Sequence, residues 1–157
     1  AGLRVIDVAG FDFRAVVDAT DVLIDFEAYR ANAYLIPQLD RLSPQMRRNM
    51  TEAAAITADQ RDAASRTRGQ VQDWFAAMLD RHPFLALPTL VGPPPLLGEQ
   101  RIPLTVLTMP ANLAGLPALA LPVPSPAGPP ASLQLIGPPG SEEQLIALGR
   151  VIEAALR

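Results

Sequence analysis

Apolar positions along the chain follow two rhythms, one of three to four residues and one of short continuous runs bounded by Pro and Gly. The first rhythm opens after Asp12, which can cap a helix. Phe13, Val16, Val17, Thr20, Leu23, Ile24, Ala28, Ala31 and Leu35 recur at helical spacing, predicting one buried stripe that Pro37 ends. Glu27 falls on that stripe, either as a buried carboxylate with a partner or as a rim residue whose carboxylate reaches water; the rarity of buried Glu favours the rim. Ser43-Pro44 pairs a capping hydroxyl with Pro at the first helical position and predicts a second helix. Thr57 and Gln60 have capping-box spacing and open a third, with Ala64, Thr67, Val71, Trp74, Phe75 and Met78 on one face. Arg61, Arg66 and Arg68 lie elsewhere on it, as a solvated surface would place them. His82, before Pro83, reads as a helix-terminus or surface group and not as a catalytic base.

The second rhythm predicts strands. Residues 3–8 (LRVIDV) alternate weakly, residues 84–87 form an apolar run stopped by Pro88, and two runs, 116–123 and 131–136, flank a Pro- and Gly-rich loop. The last two, within 108–137, are expected to form the sheet core on which the helices pack. Residues 88–103 are dense in Pro and Gly, with Pro93-Pro94-Pro95 at their centre. That composition resists helix and central strand; its PxxP register is poor for an SH3-type ligand, so a covering surface loop is expected. Ser141-Glu142-Glu143-Gln144 has capping-box spacing, and Leu145, Leu148, Ile152, Ala155 and Leu156 make the apolar face of the final helix. The expectation is an α/β fold, a mixed sheet flanked by amphipathic helices, in one domain over 1–157 with no internal repeat.

Composition narrows the chemistry more than the fold. A net charge of −3 makes no case for nucleic acid, which calls for a clustered basic face. No apolar run reaches the roughly 18 residues of a membrane span, and no secretory pattern opens the chain, so no membrane partner is expected and the cytoplasm is the default location. With no cysteine and one histidine, thiolate chemistry and a metal site are not expected, nor is a cofactor. All 13 basic residues are arginine; there is no lysine. The start at Ala1, directly before a strand-like run, suggests a processed chain or an excised piece, and the end just after an amphipathic helix suggests a genuine C-terminus.

Nor do the motifs supply a self-contained active site. Gly137-Pro138-Pro139-Gly140 precedes a helix, but its two prolines remove backbone donors that a phosphate loop needs. There is no GxSxG, no HExxH and no suggestive carboxylate pair, and none of Ser43, Ser65, Ser125, Ser132 and Ser141 has an activating context.

Thr108-Met109-Pro110-Ala111-Asn112-Leu113-Ala114-Gly115-Leu116-Pro117-Ala118 closely resembles the T-x-P-F-N-x-x-G-x-P-A stretch near the C-terminus of the amidase signature family. Residues 128–137, GPPASLQLIG, are similar to the family run G-x-P-x-G-L-Q-L-I-G, and Pro88-Thr89 after an apolar run is similar to its D-x-L-x-x-P-T. Ala111 stands where the family has an aromatic, and Ser132 where it has a second glycine. The first change would leave a cavity unless neighbours move in, and the second would crowd a close backbone contact. The usual Asp before the apolar strand is replaced around His82-Pro83.

The resemblance implies hydrolysis of a carboxamide C–N bond, with a serine nucleophile, a second serine in a cis peptide and a lysine base, through an acyl-enzyme held by oxyanion donors. Those residues belong to a Gly- and Ser-rich N-terminal segment with no counterpart here, so no catalytic residue is carried over. What carries over is architectural: Thr108, Pro110, Asn112, Gly115, Pro117 and Gln134 match the motifs and are expected beside the active-site floor. The leading expectation is the C-terminal part of an amidase-like hydrolase, inactive alone, excised or one half of a split enzyme. Its partner would be the N-terminal amidase half or, because a divided sheet exposes edges, a second copy in a twofold dimer. The alternatives are a free-standing, non-catalytic amidase-related binding or assembly module, and a generic α/β domain with Pro-rich turns.

Overall fold

The computed structural model describes residues 2–10, 12–93, 95–96, 104–125 and 128–156. Among these residues, five α-helices and three strands occur in the order α1 (Phe13–Ala31), α2 (Pro44–Ala54), α3 (Ala58–Arg81), β1 (Leu85–Pro88), α4 (Met109–Ala114), β2 (Ala118–Val123), β3 (Ala131–Ile136) and α5 (Glu142–Ala155). Two 3₁₀ segments, Ala33–Arg41 and Leu104–Leu107, precede α2 and α4.

The helix starts obey local chemistry. The Asp12 carboxylate accepts from the Arg14 and Ala15 N–H groups at 2.9 and 3.3 Å, and the Ser43 hydroxyl accepts from the Met46 N–H at 3.2 Å. Thr57 and Gln60 close a full capping box, satisfying two orphan donors reciprocally. The start of α5 differs: Ser141 has φ −97° and ψ 18°, away from the extended geometry a capping side chain needs, and makes no cap. Its hydroxyl is turned inward instead, buried and without a hydrogen-bond partner. Its neighbour there is Gly137, where an added Cβ would collide with the Ser141 hydroxyl.

The helix ends are less local. α1 stops at Ala31, and Pro37 sits inside the following 3₁₀ segment, so proline does not end the helix. Its buried residues are Val16, Ala19, Thr20 and Leu23; the expected stripe fails beyond them, with Ile24 54% exposed and Ala28 and Ala31 also exposed, while Glu27 is exposed as a rim residue would be. There Phe26 takes the guanidinium groups of Arg30 and Arg61 at 5.8 and 5.4 Å from its ring centre, a cation–π arrangement at the rim. Arg61 is therefore packed as well as paired with Asp62 at 3.0 Å. The α3 face is as expected, with Ala64, Val71 and Phe75 buried and Thr67, Trp74 and Met78 half-buried. On α5, Leu145 is buried and Leu148 and Ile152 half-buried, but Ala155 and Leu156 are exposed past the sheet's end.

The sheet order is β1-β3-β2. Both pairs are antiparallel, with Leu85 opposite Ile136 and Leu119 opposite Leu135, so the expected mixed character is not seen among the described residues. Alternation along β3 sends Ile136 and Gln134 to one face and Leu135 and Leu133 to the other. The first face packs Val16, Val71, Phe75, Leu85 and Leu113 into the main core with α1, α3 and α4. The second packs Leu121, Leu135 and Leu145 beneath α5. Gly149 lets α5 lie close: an added Cβ would stand 2.7 Å from a Leu119 methyl.

One expected strand is absent. Residues 2–10 carry no regular structure, and Leu3, Val5 and Ile6 are 51%, 85% and 51% exposed. Strand propensity is not enough without a ladder, and no described residue pairs with them. Of residues 88–103, Pro88 ends β1; residues 89–93, 95 and 96 are irregular, while 94 and 97–103 lie outside the described residues.

Candidate functional site

The residues singled out from sequence gather around α4 and its junctions with the sheet. Pro110, fully buried, occupies the first turn of this six-residue helix, where a missing N–H costs nothing. Gly115 ends it at φ 74° and ψ 35°. The Leu116 N–H donates to the Ala111 carbonyl at 3.0 Å and the Gly115 N–H to the Asn112 carbonyl at 3.1 Å, the two bonds of a Schellman stop. A left-handed residue is required there, which explains the glycine. Pro117 then enters β2, and its carbonyl accepts from the Gly137 N–H at 3.1 Å, closing the far end of the hairpin.

Gln134 secures the other end. It is 4% exposed, and its side-chain amide donates to the Leu107 carbonyl at 3.0 Å, fixing the 3₁₀ turn before α4 to the middle of β3. Thr108 lies between them; its hydroxyl donates to the Thr105 carbonyl at 3.0 Å and does not cap α4. Asn112 is exposed on α4, as is Gly115 at the helix stop. Thr108, Pro110, Gly115, Pro117 and Gln134 thus shape and anchor one short helix, and Asn112 is carried on its open side.

The two departures from the motif are absorbed by packing. Ala111 is 1% exposed and belongs to the main core, with no opening to solvent at that position. The Ser132 hydroxyl lies 2.7 Å from the Thr89 hydroxyl, and the Thr89 N–H donates to the Ser132 carbonyl at 2.9 Å. The serine therefore gains a partner in Pro88-Thr89 where crowding was expected. No spacing rule could have found this pair, 43 residues apart in sequence.

Beside the helix stop lies a cavity of about 440 Å³ lined by Gln72, Phe75, Leu79, Ala114, Leu116 and Pro138, among others. Gln72 donates to the Ala114 carbonyl at 3.3 Å across it, a contact with no sequence signal. The adjacent loop at 137–140 is no anion cradle. Its Gly137 and Ser141 N–H groups are engaged by Pro117 and Pro138 carbonyls, and Pro138 and Pro139 have none. His82 ends α3 as a half-buried residue. Among the described residues no three His, Asp or Glu side chains gather as metal ligands, and no helix is long and apolar enough to cross a membrane.

This arrangement has counterparts in known proteins. The profile of the Amidase family matches residues 7–146. The chain belongs to the Amidase family. A glutamyl-tRNA(Gln) amidotransferase subunit of the chloroplasts and mitochondria of Vitis vinifera is 36% identical over 124 residues, 70% of this chain and 23% of that protein. A second such protein, from Levilactobacillus brevis, is 38% identical over 119 residues, 68% of this chain and 24% of its own length. An amidase crystal structure superposes with a TM-score of 0.82 at 28% identity, covering 92% of this chain and 36% of that one. A chain described as part of a vestigial complex related to an s-triazine catabolic enzyme gives 0.81 at 21% identity, a likeness of fold alone. The chain thus spans about a quarter of the length of these curated relatives, with an α/β architecture shared by the amidase crystal structure.

Proposed function

We propose that this chain is the C-terminal portion of an amidase-type hydrolase that cleaves carboxamide C–N bonds, and that it is not catalytic alone. The observation that carries this reading is the family match over 7–146 in a sequence without lysine. A Ser–Ser–Lys site of the kind the resemblance implies needs a base that these residues do not contain. The site residues support the same division of labour. Thr108 is the one hydroxyl among them, and it donates to a backbone carbonyl, which leaves it without an activating base. Pro110, Gly115, Pro117 and Gln134 hold α4 in place and Asn112 rides on its open side, so their role is to form the floor beside a site whose nucleophile and base come from elsewhere in the fold. Residues 1–157 act as one unit in this role, with the remainder of an amidase domain as partner in the cytoplasm.

The test is turnover by the purified chain on simple aliphatic and aromatic amides. No hydrolysis above buffer is expected; reproducible turnover by protein free of host enzymes would overturn the reading. The neighbouring gene sequence separates a split enzyme from a free-standing module. A reading frame encoding a lysine followed by a Gly-Ser-Ser-rich segment is expected upstream, and its absence would favour the module.

A further inference from the structure

The cavity of about 440 Å³ beside the α4 stop is one-sided in its chemistry. Phe75 and Leu79 of α3 line it with Leu116, which lies between α4 and β2, and give it an apolar surface. Pro138 and Pro139 also line it and have no N–H to offer. The donors that the lining does contain are spent. The Gln72 side-chain amide donates to the Ala114 carbonyl at 3.3 Å, and the Leu116 N–H to the Ala111 carbonyl at 3.0 Å. The remaining backbone N–H groups lie within the ladders of α3 and α4. Acceptors are what is left. The Asp80 carboxylate makes no hydrogen bond or ion pair with a described residue, and Gln72 Oε1 accepts from none. Arg81, the cation next in sequence, lines a different cavity. Asp80 also stands in the last turn of α3, where a helix carries partial negative charge.

We propose that this cavity binds a small alkylammonium, with its cation on the Asp80 carboxylate and its chain over Phe75, Leu79 and Leu116. The other ligand classes fit less well. An anion would meet acceptors and no free donor, and a neutral apolar molecule would cover a carboxylate without pairing it, at a cost in free energy. The volume lies within the range of about 300–1,000 Å³ typical of small-molecule pockets. Its length also suits a chain of several carbons. Gln72, Ala76 and Asp80 stand one helical turn apart on α3, so the two acceptors are separated by about 12 Å along the helix axis. Ala76 between them is a single methyl group and leaves the space over it open. The site is separate from the amidase reading above, because every group it uses lies in this chain.

The experiment titrates the full, isotope-labelled chain with n-pentylamine at neutral pH and constant ionic strength, following backbone amide shifts. Saturable shifts are expected at Ala76, Asp80, Ala114 and Leu116. Asp80→Asn should weaken binding at least tenfold, and Ala76→Trp should abolish saturation by filling the space. Both positions are exposed, so the melting temperature of each variant should match that of the parent chain. n-Pentanol and pentanoate, added to the unchanged chain, test the charge requirement without any variant, and each should bind at least tenfold more weakly. Equal binding by either would overturn the proposal, as would the absence of saturable shifts. So would shifts of the same size at Asp18, Asp21 and Asp25, which would show unselective pairing with acidic residues. Tighter binding by a short lysine-containing peptide than by n-pentylamine would also overturn it, by assigning the cavity to a protein partner. Amide turnover by the chain would overturn the proposed function and leave this site standing.

Discussion

Residues 3–8 and residues 131–136 are both six-residue segments with apolar positions suited to a strand, yet one stands mostly exposed and the other is the centre of the sheet. β3 has a partner on each side, the buried Leu135 on one face and Ile136 on the other. Residues 3–8 have none of these among the described residues, and Val5 is 85% exposed. The difference is not in propensity. A strand's hydrogen bonds are all supplied by other segments, so identical local preference gives opposite outcomes depending on what lies alongside. A helix closes its own ladder, which is why the starts and the capping chemistry of α1, α2 and α3 follow so directly from residue type.

The largest test of this contrast compares Ile136→Ala with Val5→Ala in urea denaturation of the isolated chain. The first removes a fully buried side chain, 1% exposed, and should cost about 2–5 kcal/mol. The second should fall within about 0.5 kcal/mol, as a surface substitution does. Equal losses would mean that residues 3–8 are paired in solution.

A smaller effect is expected at the tether between β3 and α4. Gln134→Ala removes the bond to the Leu107 carbonyl in a buried setting and should cost about 1–3 kcal/mol. Faster hydrogen exchange concentrated in residues 104–114 would show that the loss lies in the placement of α4; a uniform change would show that it lies in the general core.

The two helix-start serines sharpen the point about local signals. Ser43→Ala should cost about 1 kcal/mol, because it deletes a working cap. Ser141→Ala should cost nothing or stabilise the fold slightly, since it replaces a buried, unpartnered hydroxyl by a methyl. A loss at position 141 as large as that at 43 would show that the hydroxyl caps α5 in solution.

The smallest effect concerns charge on α1. The Asp21 carboxyl is raised above its ordinary range by partial burial, and further by the nearby charges of Asp25 and Asp18. Its folded form holds a proton more tightly than the unfolded chain, so its contribution becomes more favourable as pH falls through the carboxylate range and is lost as pH rises. Asp21→Asn should therefore be slightly stabilising at neutral pH, with the advantage shrinking in acid. An advantage that grows in acid would reverse the sign of the interaction.

How much was legible in sequence divides along the same line. The caps of α1, α2 and α3, the buried face of α3 and the bounds of β3 were readable, because each depends on residues a few positions apart. So was the family, since the motif from Thr108 to Pro117 records a helix with a proline at its start and a glycine at its left-handed stop. The end of the α1 stripe at Leu23 was not readable, because periodicity continues where packing partners do not. The inward turn of Ser141 was hidden for a similar reason: a capping box describes which groups could meet, and contact with Gly137 decided which way the hydroxyl faced.

By itself, then, the sequence determined the starts of this protein's first three helices, its turn chemistry, its family and the lack of lysine in these 157 residues. Only the tertiary structure decided which apolar runs became strands and how Gln134 and Ser132 found partners across the fold. The physical reason is range. Caps, turns and helical faces are settled by neighbours in sequence, whereas ladders, cavities and open edges are settled by segments that sequence distance does not rank.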